Sequence, residues 1–129
     1  MKFRYSIFYV ENVKDTLAFY KSAFDLEIGF LHEGGDYGEL VTGDTKLAFS
    51  ALSLMENLGK SPSRPDPKHP CSEIAFETDD VQSALTRAVN AGATLVQDIR
   101  EEPWGQTTSY VSDPNGFLIE ICSPVASAG

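Results

Sequence analysis

Two stretches of this chain repeat apolar residues at the spacing of an α-helix. Each stretch follows residues that favour a helix N-terminus, Asn12 in the first case and Asp79 or Asp80 in the second. These signals predict helices over residues 13–24 and 80–91, and Gly92 is a natural end for the second. The apolar stripes are formed by Val13, Thr16, Leu17, Tyr20 and Phe24, and by Val81, Ala84, Leu85, Ala88 and Val89.

The other apolar segments are short and rich in β-branched and aromatic residues, which is typical of strands. The order strand, helix, strand, strand, strand therefore occurs twice, in residues 1–52 and again in residues 72–123. Such a repeat predicts an internal duplication within a single domain, 1–129, of the α+β class. The strands are expected at 3–10, 26–32, 37–42, 46–52, 72–78, 94–99, 107–112 and 117–123.

Residues 53–71 separate the two repeats and contain four prolines, which neither sustain a helix nor suit a central strand. A short helical piece is expected near 54–58. The pattern predicts a connector, which either covers a pocket or serves as a simple surface linker.

The last predicted hairpin places a charge inside an apolar strand. Asp113-Pro114-Asn115-Gly116 has the composition of a tight turn, and Glu120 lies in the middle of the returning strand. A carboxylate there is costly to bury without a partner or a metal ion. The alternative is an exposed or hydrogen-bonded side chain, because charged residues are seldom fully buried.

The motif D-P-N-G-x-x-x-E, together with the duplication, resembles the vicinal oxygen chelate superfamily, which includes glyoxalase I, bleomycin-resistance proteins and extradiol dioxygenases. The resemblance implies two tandem β-α-β-β-β units that form a half-open mixed β-sheet around a concave cleft. A pair of ferredoxin-like units is the alternative, and three strands after each helix favour the first choice.

Metal-dependent members of that superfamily hold a divalent ion with four ligands, usually His, Glu or Gln. The resemblance places Tyr5, Phe49, Glu73 and Glu120 at these positions. Phenylalanine has no donor atom and a neutral tyrosine is a poor ligand. Only Glu73 and Glu120 remain as weak candidates, for a loosely bound Mg²⁺ or Mn²⁺, and no other cofactor is expected.

Neither histidine changes this expectation. His32 falls at a strand end and His69 in the proline-rich connector, and neither has a partner at ligand spacing. A Zn²⁺ or Fe²⁺ centre is not expected without imidazole or thiolate ligands.

Strand alternation and the resemblance together predict an aromatic, acidic cleft. Such a cleft suits a flat or cationic organic guest, through stacking and charge pairing. Core packing is the alternative for each aromatic residue. The predicted cleft residues are Tyr5, Ile7, Tyr9, Leu47, Phe49, Glu73, Ala75, Trp104 and Glu120.

A formal net charge of −9 disfavours nucleic acid and anionic membranes as partners, because both attract basic surfaces. No apolar run is long enough to span a membrane and no signal peptide is evident. Cys71 and Cys122 lack metal-ligand spacing and are interpreted as reduced thiols of a cytoplasmic protein, with a disulfide as the alternative.

Two functions remain open. Bleomycin-resistance proteins lack the metal ligands, dimerise and sequester a basic aromatic drug, so the resemblance implies a small-molecule-binding homodimer connected with antibiotic resistance. The alternative is a metal-dependent lyase, isomerase or dioxygenase with a carboxylate-only site.

Overall fold

The computed structural model describes residues 1–126, so the last three positions of the predicted domain 1–129 lie outside the described residues. The chain forms two compact units, one of residues 1–64 and one from Pro65 onward. The segment predicted as a connector is shared between them. Its helical part belongs to the first unit, and its part after Arg64 belongs to the second.

The first unit has the predicted order of elements. A four-stranded sheet has the order β1-β4-β3-β2, with β1 parallel to β4 and the other neighbours antiparallel. The short helix expected near 54–58 is also present. The elements are β1 Tyr5–Val10, α1 Val13–Phe24, β2 Ile28–Leu31, β3 Tyr37–Leu40, β4 Lys46–Ala51 and α2 Leu52–Asn57.

Helix α1 packs tightly on the first sheet. Asn12 caps it, because its side-chain oxygen accepts the backbone N–H of Asp15 at 2.9 Å. Gly38 of β3 lies directly under the helix, where an added Cβ would come within 2.6 Å of Leu17 Cδ1. Only glycine therefore allows this close approach.

The second unit repeats the arrangement. Its sheet has the order β5-β8-β7-β6, with β5 parallel to β8 and the other neighbours antiparallel. Asp80 caps its long helix by accepting the backbone N–H of Ser83 at 3.0 Å. The elements are β5 Glu73–Glu77, α3 Val81–Asn90, β6 Thr94–Glu102, β7 Gln106–Ser112 and β8 Leu118–Cys122.

The turn between β7 and β8 is organised by a buried carboxylate. Oδ1 of Asp113, which is 3% exposed, accepts the backbone N–H groups of Asn115, Gly116 and Phe117, each at 2.9 Å. Within this turn, only Gly116 takes a positive φ, of 103°. The predicted turn is confirmed, and the aspartate rather than an Asn-Gly pair fixes its shape.

Both sheets are mixed and open rather than closed into a barrel, which confirms the α+β class with two tandem β-α-β-β-β units. The predicted helices agree with α1 and α3 to within one residue. Strand β6 runs three residues beyond the predicted end, to Glu102. Within residues 1–126, no helix combines the length and the apolar character needed to cross a membrane.

Candidate functional site

The face of the second sheet that points away from α3 carries one row of paired residues across all four strands, which we call the polar row because three of its four members are polar. The registers pair Ala75 of β5 with Glu120 of β8, Glu120 with Tyr110 of β7, and Tyr110 with Gln97 of β6. Paired residues of neighbouring strands share a face of the sheet. The four side chains therefore lie next to one another in strand order.

Tyr110 interacts with two carboxylates of this face, Glu120 and Glu73. Its hydroxyl donates a hydrogen bond to Oε2 of Glu120 at 2.7 Å. This hydrogen bond, burial and the negative charges of Glu120 and Glu73 all raise the pKa of the Tyr110 phenol above its usual range. The phenol therefore stays protonated at neutral pH and acts as a donor towards the carboxylates.

A spectrophotometric titration should detect this environment. Tyr37 of the first unit also has a raised pKa, from burial and from Glu39, so these two tyrosines should ionise later than an ordinary phenol. Tyr110→Phe should remove part of that late absorbance change. Because the pKa of the Tyr110 phenol is higher in the folded than in the unfolded state, its protonation stabilises the folded state below pH ~10. This contribution is lost as the pH rises further. An absorbance titration of Tyr110→Phe that keeps the whole late change of the wild type would contradict the assignment.

The polar row borders a cavity of about 450 Å³. A volume of this size lies in the range that holds a small organic molecule. Three segments of the second unit supply its walls: the proline-rich segment, strands β5 and β8, and the β6–β7 hairpin. The lining residues are Pro67, Lys68, Pro70, Glu73, Val96, Gln97, Arg100, Glu102, Trp104, Tyr110, Leu118 and Glu120.

One carboxylate that lines the cavity, that of Glu102, is paired with a cation that also lines it. Glu102 accepts hydrogen bonds from Nε of Arg100 and, at 2.9 Å, from Oγ1 of Thr108. The hydrogen bond from Arg100 holds the pKa of Glu102 below its usual range, against the effect of burial. This ionised pair forms a fixed part of the wall.

The indole of Trp104 offers an apolar surface at the cavity. Its Nε1 donates to Oε1 of Gln106 at 2.7 Å, which anchors the ring. Because the residue is 56% exposed, the ring is available for stacking.

On the matching face of the first sheet, the carboxylate of Glu39 has a cationic partner. Glu39 pairs with Ala48 as Tyr110 pairs with Glu120. It accepts the Tyr37 hydroxyl at 2.8 Å and Nζ of Lys46 at 3.2 Å. The first sheet therefore supplies its own cation.

The second sheet supplies no such cation to Glu73 or Glu120, because its Arg100 pairs with Glu102. Leu118 occupies the position that corresponds to Lys46, since each pairs with the first residue of the neighbouring parallel strand. Within residues 1–126, neither Glu73 nor Glu120 forms an ion pair. The cavity thus contains two carboxylates whose charges are not compensated by an ion-pair partner.

The sequence matches the glyoxalase-like domain family over residues 3–126. This chain belongs to the glyoxalase-like domain family. An uncharacterized protein of Mycobacterium bovis is 28% identical to it over 122 residues, which cover 90% of this chain and 79% of that protein.

Two solved structures show the same fold. One is a glyoxalase/bleomycin resistance protein/dioxygenase family enzyme from Burkholderia phytofirmans PsJN, with a TM-score of 0.80, 20% identity, and coverage of 95% of this chain and 98% of that chain. The other is a glyoxalase-related enzyme from Fulvimarina pelagi, with a TM-score of 0.81, 20% identity, and coverage of 100% and 95%. The match to the glyoxalase-like family model, together with this shared fold, confirms the resemblance to the vicinal oxygen chelate superfamily.

The predicted residues of this glyoxalase-like chain fall into three groups. Glu73, Trp104 and Glu120 line the cavity, and Ala75 lies in the same row as Glu120. Tyr5, Ile7 and Tyr9 lie on the open face of the first sheet, as alternation along β1 predicted. Leu47 and Phe49 form the third group.

The prediction for Leu47 and Phe49 is wrong. Phe49 pairs with Phe8, is 0% exposed, and packs on Tyr20 of α1 with 5.1 Å between ring centroids. Leu47 is also buried and shares that face with Phe49 by strand alternation. Both residues belong to the core between the first sheet and its helix.

The correction changes the implied ligand set. Ile7 pairs with Ala48 as Ala75 pairs with Glu120, so Ala48, not Phe49, is the counterpart of Glu120. Alanine has no donor atom. Of the four family positions, only those of Glu73 and Glu120 carry carboxylates, and the described residues contain no group of three or more His, Cys, Asp or Glu side chains able to hold a metal ion. The donor set of this chain does not fit the four-ligand centre of metal-dependent relatives.

Several cavity residues were not predicted. Tyr110 could have been found by counting back across the hairpin, because the Asp113–Gly116 turn sets it opposite Glu120. Gln97 and Arg100 follow irregularities in the β6 register, and no sequence signal marks those. Lys68 lies in the proline-rich segment, whose local conformation carries no periodic pattern.

Proposed function

We propose that this glyoxalase-like protein binds a small organic cation with an aromatic part, in the cavity of its second unit and without a full metal site. The observation that carries the proposal is the pair of carboxylates, Glu73 and Glu120, which lack an ion-pair partner and border a cavity of about 450 Å³. A cationic guest would compensate their charges.

The geometry of Glu120 suits such a guest. Its Oε2 accepts the Tyr110 hydroxyl, which leaves Oε1 for a donor on the ligand. A partly buried ion pair is screened less than one at the open surface. Trp104 can stack on a flat ring or contact the cation through its π-face.

The resemblance to bleomycin-resistance proteins supports a more specific version of this function. On that version the protein sequesters a basic aromatic drug and protects its host from it. The acidic cavity and the exposed indole favour this function over binding of an anionic metabolite.

Calorimetry with matched amines and alcohols tests the proposal. A panel of basic aromatic amines, for example tryptamine, is titrated beside neutral analogues, for example tryptophol. The amines should bind and the alcohols should not. Lys68→Met removes a positive charge from the cavity and should strengthen amine binding. Equal binding of amines and alcohols, or of none of them, would refute the proposal.

A second candidate is a metal-dependent lyase, isomerase or dioxygenase with a carboxylate-only site. The observation in its favour is that Glu73 and Glu120 line the same cavity, so that two carboxylates border one space. Metal analysis of protein purified without a chelator separates the candidates. A stoichiometric transition metal would favour the enzyme.

We further propose a homodimer. The open face of the first sheet exposes large apolar side chains, including those of Tyr5, Ile7 and Phe30. Such a surface is typical of an interaction site, and the resemblance implies dimers. Light scattering at micromolar concentration should give twice the mass of the chain. A value equal to the mass of one chain would refute the homodimer.

A cytoplasmic location completes the proposal. Both cysteines are free thiols in the structure, Cys71 exposed and Cys122 buried, which supports a reducing compartment.

A further inference from the structure

Gln97 lines the cavity and carries an unpaired amide nitrogen, which is itself buried. Among the buried side-chain nitrogen and oxygen atoms of residues 1–126, Nε2 of Gln97 is the one without a hydrogen-bond partner. The residue lines the cavity and lies between two irregularities in the β6 register. Buried polar groups in native proteins are nearly always hydrogen-bonded, so each exception needs an explanation.

The amide is also free to reorient. Since Nε2 has no partner, no hydrogen bond of that nitrogen holds the terminal torsion in its present position. Rotation about this torsion exchanges the amide nitrogen and oxygen at little cost, because the torsion has a broad energy profile. The side chain can therefore present an N–H donor to the cavity without losing a bond to that group.

The position of Gln97 gives the cavity two polar ends. Gln97 lies across Tyr110 from Glu120, two strand spacings away, or about 10 Å. Glu120 is an acceptor that carries a negative charge, and Gln97 is a neutral donor. A ligand that satisfies both must combine a donor cation with an acceptor oxygen.

We propose that Gln97 recognises an acceptor oxygen of the ligand, which makes the ligand class an aromatic cation with an ether, carbonyl or hydroxyl oxygen up to about 10 Å from the cationic nitrogen. This assignment rests on the proposed function, since it concerns the same cavity. It adds a specificity-determining residue on β6, the strand farthest in the sheet order from Glu73 of β5.

The test uses pairs of tryptamines that differ only by a methoxy or an ethyl group at the same ring position, with several ring positions sampled. The wild-type protein should bind the methoxy member of at least one pair about tenfold more tightly, as expected for one additional hydrogen bond. Gln97→Met should abolish this preference, so that the two members of each pair bind with similar affinity. Gln82→Met, on the exposed surface of α3, is the matched control and should keep the preference.

A stability measurement separates recognition from a structural role. Because Gln97→Met removes an unpaired buried donor, its melting temperature should equal or exceed that of the wild type. A lower melting temperature with an unchanged methoxy preference would show that the amide is held by water and has a structural role, which overturns the inference. If the wild-type protein binds both amines of every pair without a preference, the inference is overturned and the proposed function stands. If no amine binds, the inference and the proposed function are both refuted.

Discussion

Phe49→Ala is expected to lower the free energy of unfolding by about 3–5 kcal/mol, the usual cost of removing a buried aromatic side chain. Phe49 is fully buried, and its ring packs on Tyr20 and meets Phe8 edge-on. Truncation leaves a cavity between the first sheet and α1, which the surrounding rigid elements can fill only in part. Urea unfolding monitored by circular dichroism measures the change.

Tyr5→Ala is the matched control, because the resemblance placed both residues at metal-ligand positions. Tyr5 is 46% exposed on the open face of the same sheet. Its truncation should cost less than about 1 kcal/mol, in line with substitutions away from the core. Similar losses for the two variants would mean that Phe49 is not the core residue that its contacts indicate.

Glu120→Gln should weaken binding of a cationic aromatic amine by roughly 1–3 kcal/mol, the range for a hydrogen bond to a charged group. This corresponds to a fivefold to more than hundredfold increase in Kd. The glutamine oxygen can still accept the Tyr110 hydroxyl, so the fold should be kept. The pKa of Tyr110 should fall towards its usual range in this variant, because the carboxylate is its main perturbing group.

Glu77→Gln supplies the control for this experiment. Glu77 lies on the same face of β5 as Glu73 and Ala75, but it is not among the residues that line the cavity. The variant carries the same change in net charge, and its effect on binding should be small at physiological salt. If both variants weaken binding equally, the effect comes from overall charge and not from a contact with Glu120.

The sequence was sufficient to predict the helices and the sheet face on which the central acidic residues lie. Asn12 and Asp80 both act as helix caps, and the apolar stripes behind them supply most of the buried residues of α1 and α3, although Val89 of the second stripe is 41% exposed. Glu120 could be assigned to the open face because its strand alternates, with Ile119 and Ile121 buried and Glu120 only partly exposed.

The failure at Phe49 has a specific cause. Residues 47–51 are buried without interruption, so β4 shows no alternation from which its two faces could be distinguished. Only the pairing of Phe8 with Phe49 settles which side chains meet the helix. The polar partners of Glu120 depend in the same way on register, and the irregularities of β6 prevent a simple count to Gln97.

The central claim is that Glu73 and Glu120 hold an organic cation rather than a metal ion. A thermal-shift screen of wild type and Glu120→Gln against Mn²⁺, Ni²⁺, Zn²⁺ and a set of basic aromatic amines tests it most directly. We expect amines to raise the melting temperature of the wild type, less so that of the variant, and metal ions to leave both nearly unchanged. Strong stabilisation of the wild type by a metal ion, lost in Glu120→Gln, would contradict the claim and favour the metal-dependent enzyme.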